Sequence, residues 1–398
     1  MKAVNDAVIV EECARRSLEL LRENLGPHGF RAARPTDKAV ARGYDRVFGR
    51  DGALCAIAAA RSGDSRLIEG ARLTLATLAT HQAANGQIPK FVEPDPGCGD
   101  FWYVGCIDAT LWWLIAIKLV DRATQGSLEK RFESRIQRAL SWLGCQEHPL
   151  MHLLQQNEAS DWADIMPRSG FVLYTNALWF FTKKLYRLPG STTTKQHINW
   201  LFLPGSHLPD YRRLRLLIHY ARRRTANPEF YLSYINLSFW GEEGDILGNL
   251  LAMLLGLADD HRQNRILDAI AARSVAHPGL SVMTPIEPDS RQWRPYMERH
   301  RQNFPHRYHN GGIWPMIGGF WVLALAAAGR KAFARSELAR LARANAVANW
   351  RFSEWFNGAS GTPEGMSGQT WNAALFLIAR GGIENRRFSR VGGTLFQK

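Results

Sequence analysis

Twelve stretches of apolar residues at helical spacing, alternating between two kinds, predict an all-α fold: six helical hairpins closed into an (α/α)6 toroid. Clear alternating strands are scarce, with one short candidate near Phe230–Ile235. No repeat of fixed period accompanies the helices, which sets the chain apart from a solenoid.

The helical stretches run in order. Val8–Leu25 is amphipathic, with acids at Glu11 and Glu12. Gly52–Ser62, Arg66–Gln82 and Ile107–Leu119 follow, the last apolar nearly all round, as an inner helix should be. Leu128–Gly144 is charged on one face, as an outer helix should be. Leu173–Leu185, Leu214–Arg223, Ile246–Leu257 and Arg262–Ala276 continue the series. Ile313–Ala328 reads as inner, Ala332–Asn349 as outer, and Thr370–Ala379 closes the set. No Ser/Gly-rich linker or shift in composition divides the 398 residues, so one domain spanning 1–398 is expected.

Composition narrows the function. The net charge is +14, but the basic residues are scattered. Their densest cluster, Arg212, Arg213, Arg215 and Arg222 to Arg224, has the spacing of a solvated helix face, and no nucleic-acid-binding signature accompanies it. Five cysteines without regular spacing argue against a disulfide framework and for a reducing compartment, although Cys98 and Cys106 are close enough in sequence to pair. No metal is expected: CxxC and HExxH are absent, and the pair His306 and His309 lacks a third ligand nearby. The N-terminus carries no signal-peptide pattern. The uncharged run Ile313–Gly329 is too short for a membrane span and is broken by Pro315 and Gly318-Gly319. The expectation is a soluble, cytoplasmic protein, with oligomeric state left open.

Between the helices lie long polar loops rich in Gly, Pro and aromatics, namely 87–105, 155–170 and 283–312. Loops of this length in a compact domain are usually functional or disordered, and their Trp, Tyr, Phe and His point to function. Two segments carry the clearest chemistry. One reads Glu158-Ala-Ser-Asp161-Trp162-Ala-Asp164, the other Ser353-Glu354-Trp355-Phe356-Asn357-Gly358, followed by Glu364 and by Gln369-Thr-Trp371. Acids set among Trp and Gly are costly in an interior unless they act. Sugar hydrolysis needs a protonated acid on one side of a glycosidic bond, a carboxylate on the other, and aromatic faces for the ring. In a helical turn Asp161 and Asp164 would share a face, and like charges close together raise one pKa, as a general acid requires.

Each group has a blander role. Asp51, in Arg50-Asp51-Gly52, either caps the helix it opens or works with Arg50 to grip sugar hydroxyls. Asp108 either caps its helix or faces the cavity beside a Trp. His309, in Tyr308-His-Asn-Gly-Gly-Ile-Trp-Pro315, is either a structural histidine or part of a pocket rim, and Gly311-Gly312 lets the backbone turn sharply or approach a ligand. Glu354 either pairs with an arginine such as Arg351 or does chemistry. Asp161 and Glu364 are rivals for the roles of Asp164 and Glu354.

These segments resemble the six-hairpin glycosidases, in particular the amylo-α-1,6-glucosidase-like (glycogen-debranching) proteins and the neutral/alkaline invertases. The matching stretches are Tyr44 to Asp51, Ser160 to Asp164 with Leu173 to Trp179, Tyr308 to Pro315, and Ser353 to Gly358. Tyr308–Pro315 is most like the invertases, and the Asp161 to Trp179 region more like the debranching proteins. The resemblance implies an (α/α)6 barrel and inverting hydrolysis of an α-glucosidic linkage, with sucrose as the alternative substrate. It implies Asp164 as general acid and Glu354 as the base that activates water. Arg50 and Asp51 would hold the sugar, with Trp102, Asp108, Asp161, Trp162, His309, Asn310, Trp314 and Gln369 as further contacts. Trp102, Trp162 and Trp314 would supply an apolar floor that raises the acid's pKa. The expected partner is an oligosaccharide or small glucoside, with no cofactor, no nucleic acid and no membrane. A non-catalytic sugar-binding toroid and a polyanion-binding helical protein are the readings of other classes.

Overall fold

The structure is a computed structural model, and it describes residues 2–93, 97–102, 105–203, 225–237 and 239–384. Among the described residues, twelve helices have nine residues or more. They are α1 (Lys2–Asn24), α2 (Gly49–Ala60), α3 (Ser65–Thr80), α4 (Ile107–Thr124), α5 (Glu133–Gln146) and α6 (Leu173–Tyr186), then α7 (Ser191–Leu201), α8 (Ile246–Leu254), α9 (Asp260–Ala271), α10 (Pro315–Ala327), α11 (Lys331–Trp350) and α12 (Thr370–Glu384).

The even-numbered helices form the inner ring. Packing runs α2 on α4, α4 on α6, α6 on α8, α8 on α10 and α10 on α12, and α12 packs back on α2. The ring is therefore closed, as the alternation of helix types predicts. Its apolar character is the cause: every residue of α2 and α8 is buried, and α10 is buried from Pro315 to Ala326. The odd-numbered helices lie outside. Only Ile136, Ala139 and Leu143 of α5 are buried, and only Ile266 and Leu267 of α9. Helix α1 seals the end of the chain by packing on α11 and α12. One hydrophobic cluster runs from Cys13 to Ile383.

Two features differ from the sequence expectation. Helix α7 is additional to the expected set: Ser191-Thr-Thr-Thr-Lys-Gln is polar and β-branched, and only Thr194, Ile198 and Leu201 of the helix are buried. The cysteines are the second, because all five are free and Cys98 and Cys106 are not paired. The expected Leu214–Arg223 helix and the basic cluster at 212–224 lie outside the described residues. No described helix is long and apolar enough to cross a membrane.

The loops entering the inner helices carry short strands. Val47–Phe48, Phe91–Val92 and Gly99–Asp100 form one antiparallel sheet. Gln155–Gln156, Gly170–Val172, Tyr234–Asn236 and Phe239–Trp240 form a second. Trp355–Phe356 pairs with Pro363–Glu364. Strands of two or three residues are too short to show alternation in sequence. Their work is to fix the loops around the N-terminal ends of the inner helices.

Candidate active site

The register of Val47 with Val92 delivers the first group of side chains. The Gly49 N–H donates to Lys90 O at 2.8 Å, which locks the start of α2 beside Lys90. A Cβ at Gly49 would lie 2.6 Å from Pro89 O and 2.7 Å from Ala109 Cβ, so only glycine permits this approach. Arg50 and Asp51 follow in the first turn of α2. Asp51 is not the cap, because Phe48 precedes the helix and no side chain caps it. Arg50 Nε lies 3.2 Å from Asp51 Oδ1, and its guanidinium sits 5.4 Å from the Trp371 ring.

Behind Arg50 stands Asp108, fully buried in the first turn of α4. Its Oδ2 accepts from Arg50 Nη1 at 3.1 Å and from Tyr174 Oη at 3.0 Å, and its Oδ1 accepts from the Cys106 thiol at 3.1 Å. Asp108 does not line the cavity. The expected sugar contact is corrected to a residue that orients Arg50.

The two acids of the 155–170 loop part company. No helix forms there, and Asp161 and Asp164 share no face. Asp161 turns inward, where its Oδ1 accepts from Ala163 N at 2.8 Å and its Oδ2 from Gln156 Nε2 at 2.9 Å. Burial pushes its carboxyl up to about 6, with Arg168 opposing. Arg168 itself is buried against Glu243 and Asp245. Asp164 instead reaches the cavity, its side chain 30% exposed, and its Oδ1 accepts from Lys90 Nζ at 3.0 Å. Burial is the largest single influence and raises its pKa, but Lys90, His309 and Arg50 together outweigh it and hold the carboxyl below the usual range. Asp161 is therefore not the group that tunes Asp164. Lys90 is, and it also stands 3.9 Å from the centre of the Trp102 ring.

The Tyr308–Pro315 turn feeds α10. His309 stacks on Trp314, with ring centres 4.7 Å apart and planes 1° from parallel, and meets Trp162 edge-on at 4.6 Å. Burial drops its pKa well below the ordinary value, so the imidazole is neutral. Asn310 turns away: its Oδ1 accepts from Ile286 N at 2.7 Å, and its Nδ2 donates to Ile286 O and Asn303 O. It clamps the 283–312 loop onto itself and does not line the cavity, which corrects the expected sugar contact.

Glu354 is buried beside the Trp355–Phe356 strand. Its Oε1 accepts from Tyr44 Oη at 2.7 Å and its Oε2 from Met366 N at 2.9 Å. Burial pushes the carboxyl up to about 7 against both bonds. The expected pairing partner, Arg351, hydrogen-bonds no Glu354 oxygen; its Nη2 donates to Gly365 O at 3.4 Å. Glu364 stands opposite Trp355 in the same hairpin and does not line the cavity.

The cavity that results has a volume of about 210 Å³. Asp164 and Glu354 both line it, together with Arg50, Asp51, Trp102, Trp162, His309, Trp314 and Gln369. Sequence reasoning missed Lys90 and left Tyr44, Tyr308 and Trp371 unassigned, although these three stand in the quoted segments. Several wall atoms have no protein hydrogen-bond partner among the described residues: both ring nitrogens of His309, both amide atoms of Gln369, and Nε1 of Trp162 and Trp371. Buried polar atoms are ordinarily paired, so this ring of donors and acceptors is suited to a polar ligand with several hydroxyls. Among the described residues no cluster of three His, Cys, Asp or Glu side chains could hold a metal.

Residues 245–386 match the family profile of alkaline and neutral invertase. Over 142 residues, 34% of this chain, the sequence is 32% identical to probable alkaline/neutral invertase F of Arabidopsis thaliana, and the match covers 28% of that protein. Over 147 residues, 35% of this chain, it is 29% identical to cytosolic invertase 1 of Oryza sativa subsp. japonica, covering 25% of it. The chain thus spans only about a quarter of the length of these curated relatives. The matched region contains His309 and Glu354 but not Asp164. Among solved structures, a GH63 mannosylglycerate hydrolase from Thermus thermophilus, bound to Tris and D-glycerate, superposes with a TM-score of 0.63. Identity is 15%, over 92% of this chain and 99% of that one. A wild-type glycosidase superposes at 0.60 with 16% identity, over 95% and 97%. At these identities the likeness is one of fold: the chain has the (α/α)6 toroid of the six-hairpin glycosidases.

Proposed function

We propose that this chain hydrolyses the O-glycosidic bond of a short α-glucoside with inversion at the anomeric carbon. The observation that carries the reading is that Asp164 and Glu354, from loops almost two hundred residues apart, line one Trp-walled cavity where the polar atoms of His309 and Gln369 and Nε1 of Trp162 and Trp371 lack protein partners among the described residues. In this reading Asp164 gives a proton to the leaving oxygen, while Glu354 takes one from the water that attacks the opposite face of the ring. Both Glu354 oxygens are held by donors, which suits an anion that accepts a proton. Asp164 has the more exposed carboxyl of the two, as suits the group that meets the leaving oxygen. In the free protein the pair's proton rests on Glu354, since burial raises that carboxyl while Lys90, with His309 and Arg50, keeps Asp164 ionised. The reacting state is therefore the minority one, with the proton moved to Asp164 as the sugar replaces water around it. Arg50 and Asp51 grip hydroxyls, neutral His309 and Gln369 contribute further hydrogen bonds, and the Trp faces cover the ring. No metal or organic cofactor enters these steps. A cytoplasmic location belongs to the same reading, supported by five unpaired cysteines.

Sucrose is the second, narrower reading, favoured by the invertase profile over residues 245–386, which includes Tyr308–Pro315. The test is proton NMR of the first turnovers on sucrose, isomaltose, maltose and panose. β-Glucose appearing first supports inversion. α-Glucose first would mean retention, with one carboxylate acting as a nucleophile about 5 Å from the other. Sugar binding without turnover of any glycoside would support the non-catalytic toroid instead.

A further inference from the structure

Trp102 lines two depressions: the cavity of Asp164 and Glu354, and a more open groove of about 360 Å³ beside it. Among the described residues, the lining of that groove carries no acidic or basic side chain, in a chain that is 22% charged with a net charge of +14. In their place stand five side-chain amides, Gln87, Gln146, Gln155, Gln156 and Asn157, and the aromatic rings of Phe101, Trp102 and Trp142. An amide offers a donor and an acceptor without charge, which matches a sugar hydroxyl, and an aromatic face matches the C–H face of a pyranose. An anionic ligand would find no counter-charge among these described residues, and nucleic acid no cation for its phosphates. A second observation points to a ligand. Gln87 lines the groove at 9% exposure, and its buried Nε2 has no protein hydrogen-bond partner among the described residues.

The position gives the groove its role. Lys90 Nζ lies 3.0 Å from Asp164 Oδ1 and 3.9 Å from the centre of the Trp102 ring, so the groove opens on the Asp164 side of the cavity. The group that protonates the glycosidic oxygen marks the side on which the leaving group departs. We propose that this amide-lined groove binds the sugar ring beyond the leaving one, so that the substrate is a neutral oligosaccharide extended on its leaving-group side. The inference rests on Asp164 as the acid, and it adds a substrate class to that reading.

The test pairs substrates that differ by one ring at the leaving-group end: panose against isomaltose, and 1-kestose against sucrose. For the wild type, kcat/KM should favour the longer member of whichever pair is cleaved. The double variant Gln87→Ala/Gln155→Ala should reduce that preference about tenfold, mostly through KM, as expected for losing hydrogen bonds to neutral groups. Gln155→Ala alone, at an exposed position, should lower it severalfold and guards against a folding defect in the double variant. A preference that is absent, or unchanged in both variants, overturns the proposal. If no glycoside is hydrolysed at all, the proposed function fails, and calorimetry with panose decides the groove separately. Binding that weakens about tenfold in the double variant supports it, whereas no binding, or binding indifferent to the substitutions, overturns it.

Discussion

Tyr44→Phe removes one oxygen atom and should reveal how the proton is shared. Tyr44 Oη donates to Glu354 Oε1 at 2.7 Å, and this bond favours the carboxylate while burial opposes it, leaving the carboxyl at about 7. A hydrogen bond to a charged acceptor is worth roughly 1.5–3 kcal/mol. Taking the low end, at about 1.36 kcal/mol per pKa unit, its loss moves Glu354 from about 7 to about 8. The reactive pair holds one proton, so the alkaline limb of kcat/KM reports the higher of its two apparent pKa values. That limb should move up by about one unit. The rate on the plateau should fall as well. With Glu354 as base, the reacting state has the proton on Asp164, and making Glu354 about tenfold harder to deprotonate makes that state about tenfold rarer. The stronger base recovers part of the loss, so the plateau drops roughly three- to tenfold. Initial rates from pH 4 to 10 measure both effects. A limb that stays near 7 would refute the coupling of Tyr44 to Glu354. A limb that moves while the plateau stays level would refute Glu354 as the base, because an acid made weaker in this way remains protonated.

Other substitutions test the remaining parts of the site. Asp164→Asn and Glu354→Gln should each reduce turnover at least about a hundredfold with little change in thermal unfolding, and greater damage from Asp161→Asn or Glu364→Gln would move the assignment. Lys90→Met removes the leading cation among those that hold Asp164 down, so the acid limb of kcat/KM should rise; an unmoved limb would leave the Lys90–Asp164 pair without a role in the chemistry. At Gly365, where φ is +71°, an added Cβ would lie 2.4 Å from Glu354 Oε2. Gly365→Ala should therefore lower kcat at least about tenfold while costing about 1–3 kcal/mol of stability, and full activity in the variant would show that Glu354 need not be held where it stands.

The periodicity of the helices carried the architecture, because an inner helix must be apolar all round and an outer one on a single face. Ile107–Leu119 and Ile313–Ala328 show the first pattern, Leu128–Gly144 and Ala332–Asn349 the second, and all four take the expected layer. Helix α7 was illegible because its Thr run supplies little apolar pattern. The site was legible as segments but not as layers. Asp161 and Asp164 are three residues apart and look alike in sequence, yet the turn sends one to Arg168 and the other to the cavity. Asp108 and Asn310 sit beside lining residues and face away from the ligand space, a distinction that depends on side-chain direction. Lys90 left no chemical signature, and only its place between Pro89 and Phe91 in the apolar run Ile88–Val92 marks it as a lysine set to be buried. The burial that raises Glu354 belongs to the assembled walls and not to any stretch of sequence.

The assignment of Asp164 as acid and Glu354 as base is tested most directly by the leaving group. A glycosyl fluoride departs without protonation, so it does not need the acid but still needs the base. Rates of Asp164→Asn and Glu354→Gln should be compared on α-glucosyl fluoride and on the natural α-glucoside. The account predicts that Asp164→Asn recovers most of the wild-type rate on the fluoride while Glu354→Gln stays at least about a hundredfold down on both substrates. Recovery by Glu354→Gln and not by Asp164→Asn would contradict it and exchange the two roles.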